Sequence, residues 1–366
     1  KDVLFNEKSV SFISNNIKNS YKDFDDINFI NQTLIKFPEL ELKERINWIT
    51  TNLENFLPKD FKTAVNILIE SLPKELDSEK TDDDFWYFIL SSYWEFIANN
   101  WCNKKYLDFS LETFEIFTKR FSMEFAIRPF LKKYQDETLN YVEKWSKNGN
   151  YHVRRLSSEW IRPNLPWWWK INIWLENNLE ILDNLYTDKT RYVLRSVANS
   201  LNDITKINSQ IVLDRLIEWE KSWLQTKDNI DFLIKHSLRS ELKKWNPNAL
   251  SLLWYMKPNL KINNLKIITK LISIWESAEF SFEISSNIEQ KLLINYNLYF
   301  VTANWKLSPK VFHIWKKTLK KWETILVNKK HPIKKMTTKK IYNGHHFVEV
   351  IINWELFLKK SFEVKV

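Results

Sequence analysis

The stretch "RYVLRSVANSL", Arg191 to Leu201, has two counterparts in the chain. "NYHVRRLSSE" (150–159) precedes it and "DFLIKHSLRSEL" (231–242) follows it. Val153, Val193 and Leu233 stand 40 residues apart, and so do Arg155, Arg195 and Lys235. Each segment carries apolar residues at helical spacing, so the repeating unit contains a helix and its connection to the next. A basic residue returns at the same phase of every unit.

A period near 40 built from two helices is the signature of HEAT-type repeats, which stack into a curved solenoid with a long concave face. If the basic phase faces that groove, Arg155, Arg195 and Lys235, with Arg154 and Arg239 nearby, form a positive stripe spaced for phosphates. The plainer alternative is that they are exposed helix residues with no ligand. Upstream segments agree with a helical chain. "ELELKERINWITTNLENFL" places Leu40, Leu42, Ile46, Ile49, Leu53 and Leu57 on one helical face, and Pro58 ends the pattern. "TDDDFWYFILSSYWEFIANN" opens with Thr81 and three Asp, a cap and dipole signal for a helix start.

From about residue 276 the period changes. "EFSFEIS", "LLINYNLYFVT", "KVFHIWKKTL", "ETILVN", "HHFVEVIIN" and "ELFLKKSFEVKV" are short alternating or β-branched runs between turns. About seven short strands in this length fit an immunoglobulin-like sandwich. The expected architecture is therefore mainly α: a HEAT-like α-α superhelical solenoid over 1–275, then an immunoglobulin-like β-sandwich over 276–366.

Charge follows the same division. Of the net +10, residues 1–100 contribute −7, residues 101–275 contribute +9 and residues 276–366 contribute +8. A basic middle and end behind an acidic start favours a polyanion met by the last two segments. No apolar run approaches 18 residues, so no membrane span is expected. "KDVLFNEKSVSF" lacks the apolar core of a signal peptide, and a cytoplasmic location is the expectation. The single cysteine, Cys102, excludes an internal disulfide and a Cys-based zinc site. No phosphate-binding glycine loop and no HExxH motif occurs, and "GHH" at 344–346 reads as a turn rather than a metal site.

Three acids sit within basic sequence: Glu124 in "RFSMEFAIRPF", Glu159 in "RRLSSEWIRP" and Asp203 in "ANSLNDITK". A structural reason would be ion pairing with Arg128, Arg155 or Arg162 at helical spacing. A chemical reason would be stabilisation of positive charge on a sugar whose base is leaving, where a carboxylate also orients water. Trp167, following Pro166, could add a ring face to the same cation.

The composition has one further oddity: 19 Trp against 2 Gly in 366 residues. An ordinary chain of this length holds roughly 26 Gly. Trp also stands where Gly belongs. Asn304-Trp305 and Asn353-Trp354 separate strand-like runs, where Asn-Gly would give a type I′ hairpin. Trp245 follows a Lys-rich helical pattern at the C′ position, and Trp322 lies in another turn. The expectation is that many of these Trp are UGA codons that the source organism reads as glycine. An abundance of Lys, Asn and Ile agrees with an AT-rich gene.

The stretches "EFAIRPFL", "YHVRRLSSE-x-IRPNLPW", "RYVLRSVANSLNDI" and "IKHSLRSELKK-x-NPNALSLL" resemble the AlkC branch of the HEAT-repeat DNA glycosylases, relatives of AlkD. The resemblance covers nearly the whole chain. Members typically have Gly where this chain has Trp160, Trp245, Trp254, Trp305 and Trp354, while the Trp of "LPW" is a family Trp. The resemblance implies hydrolysis of the N-glycosidic bond of N-alkylated bases (3-methylcytosine, 1-methyladenine, 3-methyladenine) in duplex DNA. It implies that this happens without drawing the base into a tight pocket, unlike common base-flipping enzymes. By motif, Glu124, Glu159 and Asp203 carry over as the acidic site and Trp167 as a contact to the lesion. Arg128, Arg154, Arg155, Arg162, Arg195, Lys235, His236 and Arg239 carry over as residues that hold the DNA. It implies no metal or organic cofactor, no obligate protein partner and a monomer. No Lys stands out as a Schiff-base nucleophile, so simple hydrolysis to an abasic site is expected. The rival reading is a non-catalytic DNA-binding scaffold on the same solenoid.

Overall fold

The computed structural model describes residues 1–77, 87–165, 170, 174–334 and 340–365, with backbone alone at 100 and 101. Its first unit, Lys1–Leu238, is helical. The helices are α1 Glu7–Ser20, α2 Asp26–Ile35, α3 Leu42–Phe56, α4 Phe61–Glu70, α5 Ser91–Trp101, α6 Leu107–Thr118, α7 Arg128–Lys133, α8 Gln135–Ser146, α9 Tyr151–Trp160, α10 Leu175–Asp183, α11 Arg191–Ile204, α12 Ser209–Ser222 and α13 Lys227–Ser237. No helix among the described residues is long and apolar enough to cross a membrane.

The sequence repeat is the packing repeat. Val153, Val193 and Leu233 are all fully buried, in α9, α11 and α13. α11 packs on α9 on one side and on α13 on the other, so the three equivalent helices form consecutive layers of a HEAT-like solenoid. Local caps fix where these helices start. Asn150 accepts from the His152 amide and Thr190 accepts from that of Val193, each satisfying a first-turn donor.

α3 runs as its pattern requires, with Ile46, Ile49, Leu53 and Leu57 buried and a Glu41–Glu44 capping box at its start. α5 begins at Ser91, after a short 3₁₀ turn at Phe88–Leu90. The Thr81 cap expected from the sequence lies outside the described residues.

The second unit, Arg239–Val366, contains two short helices, α14 Arg239–Lys243 and α15 Pro247–Leu252, and two sheets. The strands are β1 Lys261–Ile267, β2 Leu271–Ser273, β3 Ser277–Ser285, β4 Gln290–Val301, β5 Leu307–Leu319, β6 Thr324–Pro332, β7 Gly344–Ile352 and β8 Glu355–Lys365. One sheet has the order β1-β3-β6 and the other β2-β8-β7-β4-β5. All pairings are antiparallel except β2 with β8. Alternation places Phe280, Phe282 and Ile284 of β3 in the same core as Ile294, Tyr296 and Leu298 of β4.

The β-structure begins at Lys261, upstream of residue 276, where the sequence periodicity changes. "KINNLKI" buries only Leu265 and carries a bulge between Asn263 and Lys266, so its alternation is weak. The two hairpins also differ from the type I′ expectation. Between β4 and β5 the loop is longer, closed by Thr302 N–H to Lys306 O at 2.9 Å, and Trp305 is left-handed at φ 60°. In the Asn353-Trp354 turn the left-handed residue is Asn353, at φ 55°. "GHH" is the start of β7 rather than a turn: His346 is buried and its Nε2 lies 2.9 Å from the Tyr342 carbonyl oxygen.

Candidate active site

The three acids singled out in the sequence belong to one network within the helical unit. Glu124 lies in the turn before α7, Glu159 at the end of α9 and Asp203 at the end of α11. Repeat stacking brings the last two together, because they end equivalent helices of adjacent layers.

Arg155 and Arg162 join the acids. The Arg155 guanidinium donates to Glu124 Oε2 at 3.3 Å and to Ser122 Oγ at 3.0 Å. Its other terminal nitrogen lies 3.6 Å from Glu159 Oε2. Arg162 donates to Glu159 Oε1, and its Nε donates to Asp203 Oδ2 at 2.9 Å. The Ser196 hydroxyl, from α11, donates to Glu159 Oε2 at 2.6 Å. Lys206 donates to Asp203 Oδ1 at 2.9 Å, and Arg128 donates to the Arg162 carbonyl at 2.8 Å. The i,i+3 and i,i+4 ion pairs that the sequence offered as a structural explanation are thus present.

Burial sets the electrostatics. Glu159 and Asp203 are 4% and 3% exposed. Burial pushes the Glu159 carboxyl up, but the Arg155 and Arg162 charges and the Ser196 hydroxyl outweigh it and hold the group below the usual carboxylate range. Burial, reinforced by the neighbouring Arg162, lowers Arg128 to about 10, so it remains charged at neutral pH. The site therefore holds a buried carboxylate in its anionic form.

A cavity of about 470 Å³ opens onto this network. Glu124, Phe125, Arg155, Glu159, Arg162 and Leu165 form one part of its wall. Leu42, Lys43, Ile46 and Asn47 of α3, with Phe88 and with Trp94 and Glu95 of α5, form another. Asp203 stands behind Arg162. The wall from α3 and α5 was not legible as site: Glu95 carries no motif, and only folding sets it on the cavity that Glu124 also lines. Burial raises the Glu95 carboxyl, partly offset by an Asn99 side-chain hydrogen bond and the Lys43 charge. Ser196 had a signal, since it sits beside Arg195 within the repeat.

Trp167 lies outside the described residues. Trp160 does not line the cavity. Its indole is fully buried, donates to the Met123 carbonyl at 3.0 Å and packs edge-on against Trp145 at 4.6 Å.

The basic residues fall into two groups. Arg128 and Arg162 are buried in the network, and Arg154 is bound to Asp188 at 2.6 Å and to the Asn148 and Gly149 carbonyls. Arg195 and Lys235 are exposed at equivalent positions of α11 and α13. Arg155 shares their phase but is half-buried in the carboxylate cluster, with Tyr192 under its guanidinium at 5.0 Å. His236 and Arg239 are half-buried, and His236 Nε2 lies 3.0 Å from Asn199 Oδ1.

Residues 261–366 match the family model described as "Uncharacterised protein YhaZ, C-terminal Ig-like domain". The whole chain is similar to the uncharacterized protein YhaZ of Bacillus subtilis (strain 168), 35% identical over 368 residues, covering 99% of this chain and 98% of that protein. Among solved structures it is similar to the Pseudomonas fluorescens alkylpurine DNA glycosylase AlkC bound to DNA containing an abasic site analog. That similarity has a TM-score of 0.76 and 28% identity, covering 99% of this chain and 98% of that one. The repeat layers, the C-terminal sandwich and the full-length match identify the chain as a member of the YhaZ family, with the fold of AlkC.

Proposed function

We propose that the protein is a DNA glycosylase that hydrolyses the N-glycosidic bond of N-alkylated bases, among them 3-methylcytosine, 1-methyladenine and 3-methyladenine, in duplex DNA. The observation that carries this reading is the pair Glu124 and Glu159 on the wall of one cavity, in a chain with the fold of a DNA-bound alkylpurine glycosylase.

The chemistry follows from charge. An N-alkylated base of this class is cationic, so it departs neutral and needs no general acid. Positive charge then grows on the deoxyribose, and an anionic carboxylate held nearby stabilises it. Glu159, kept anionic by Arg155, Arg162 and Ser196, suits that role. Glu124, less buried than Glu159, orients the attacking water in this reading, and Asp203 holds Arg162 in place. Trp167 contacts the lesion nucleotide. Arg195 and Lys235 meet backbone phosphates, and the damaged base is not drawn into a closed pocket. The reaction ends at an abasic site without strand cleavage and uses no cofactor, and the protein acts as a cytoplasmic monomer.

A second reading, a non-catalytic DNA-binding scaffold, is favoured by one observation: each of the three acids already has a basic partner in the protein. Base release from duplexes with a single 3-methylcytosine or 3-methyladenine separates the two. The glycosylase releases base, and Glu159→Gln and Asp203→Asn lose release while retaining DNA binding. A folded protein that binds DNA and releases neither base is the scaffold.

A further inference from the structure

Among the described residues, eight other than glycine have left-handed backbones, and six of the eight are Trp. They are Trp223 (φ 57°), Trp245 (61°), Trp254 (66°), Trp275 (82°), Trp305 (60°) and Trp322 (63°). The other two are Asn264 and Asn353, of the residue type that tolerates this region best after glycine. A Cβ clashes with the following carbonyl there, and a bulky L side chain gains nothing in return unless it packs. These six do not pack into the core: five of them are at least 63% exposed, and Trp245 is half-buried.

The hydrogen bonds around them define glycine positions. After α14, Trp245 N–H donates to Leu242 O at 3.2 Å and Asn246 N–H to Glu241 O at 3.1 Å. After α15, Trp254 N–H donates to Ser251 O at 2.9 Å and Tyr255 N–H to Leu250 O at 3.0 Å. Both are the paired bonds of a Schellman motif, whose left-handed C′ residue is usually glycine. Trp223 is the left-handed residue that ends α12. Trp275 and Trp322 occupy the third position of turns closed by Glu276 N–H to Ser273 O and Glu323 N–H to Lys320 O, both at 3.1 Å. A positive φ at that position of a turn calls for glycine. Trp305 closes the Thr302–Trp305 turn as the left-handed residue of the β4–β5 hairpin.

Two other Trp among the described residues behave as Trp. Trp145 is buried in α8 and donates to Glu115 Oε2 at 2.8 Å. Trp219 is buried in α12, donates to Asp183 Oδ1 at 2.8 Å and stacks on Tyr186 at 4.6 Å. Trp145 and Trp219 are thus anchored by their rings, whereas the six are placed by backbone geometry that a ring opposes.

We propose that Trp223, Trp245, Trp254, Trp275, Trp305 and Trp322 are glycines in the natural protein. One codon, UGA, is written as Trp in this sequence and read as Gly in the source organism, while UGG encodes ring-anchored residues such as Trp145 and Trp219. The proposal accounts together for the excess of Trp, the near absence of Gly and the left-handed sites outside the core. It singles out Trp223 and Trp275, which no sequence pattern marked.

The gene and the native protein test it. UGA is expected at all six codons and UGG at those of Trp145 and Trp219, and peptides of the protein isolated from its source should carry Gly at all six. UGG at the six positions, or Trp in those peptides, overturns the proposal. The backbone argument has its own test in the full-length chain made with Trp or with Gly at the six sites. The thermal midpoint should rise with Gly, and should rise less when the six are Ala, whose Cβ retains the clash. Equal gains for Gly and Ala would mean that removal of exposed rings, and not backbone geometry, explains the effect, and would overturn that argument.

Discussion

Ser196 of α11 donates its hydroxyl to Glu159 of α9 across 2.6 Å, linking adjacent repeat layers at the carboxylate. The bond spans 37 positions of sequence, close to one repeat. Removing it by Ser196→Ala leaves the buried Glu159 with its Arg155 and Arg162 partners but without a neutral donor. A hydrogen bond to a charged group contributes about 1.5–3 kcal/mol. Single-turnover base release should therefore fall by roughly ten- to a hundredfold, with DNA affinity unchanged. Unchanged release would remove Ser196 from the site.

Arg162 bridges Glu159 and Asp203, both almost fully buried. Arg162→Ala removes the cation shared by two buried carboxylates, leaving Glu159 to Arg155 and Asp203 to Lys206, and the loss of unfolding free energy should be about 3 kcal/mol by urea titration. The triple variant that also carries Glu159→Gln and Asp203→Asn should recover part of that loss, because the buried charges are then gone. No recovery would show that Arg162 acts through packing rather than charge.

Two carboxyls of one cavity should give opposite pH slopes. Glu159 is held below its ordinary range by guanidinium charge outweighing burial, so it favours the folded state above the ordinary carboxylate pKa. That contribution is lost as pH falls below about 4.3 toward the folded value. Burial raises Glu95, so its contribution is reversed: ionisation in the folded state opposes stability as pH rises past the same value. At pH 7 Glu95→Gln should raise the thermal midpoint and Glu159→Gln should lower it. Well below pH 4 both effects should shrink. Same-sign shifts at pH 7 would contradict these assignments.

The C-terminal unit has its own titration. His331 meets the stacked rings of Phe312 and Tyr296 edge-on, and the Tyr296 hydroxyl is 2.6 Å from its Nδ1. Burial, then Lys329 and Lys310, lowers its pKa from 6.5 to about 4. A histidine held neutral stabilises the fold above its ordinary pKa, and that stability is lost as pH falls from 6.5 toward 4. The loss should be about 2 kcal/mol after allowing for solvent screening, and His331→Gln should flatten it over this window. Calorimetry of the whole chain between pH 4 and 7 reads the difference, and an equal slope in the variant would exclude His331 as its source.

If exposed Arg195 and Lys235 meet phosphates, replacing either with Ala should weaken binding to lesion-containing and plain duplex alike. Each should reduce the slope of log affinity against log salt by about 1. Arg154→Ala, whose parent is bound to Asp188, should change stability more than that slope. Fluorescence anisotropy over a salt series distinguishes them.

The Val153, Val193 and Leu233 spacing determined the solenoid, because a position buried in every layer must recur with the period of the layers. The alternation of β3 and β4 likewise announced the sandwich, whereas β1 was hidden by its bulge and its single buried residue. Glu124, Glu159 and Asp203 stood out by their basic surroundings, and the composition by itself exposed the Trp-for-Gly anomaly. Tertiary structure decided the rest. Which cations pair with which acids, that Glu95 and Lys43 line the same cavity, and that the Trp160 indole is tied to Met123 instead of lining it all depend on contacts between distant segments. Periodicity is a local property that side-chain sorting writes into every turn of the chain, while an ion pair 41 residues apart exists only once two layers have packed.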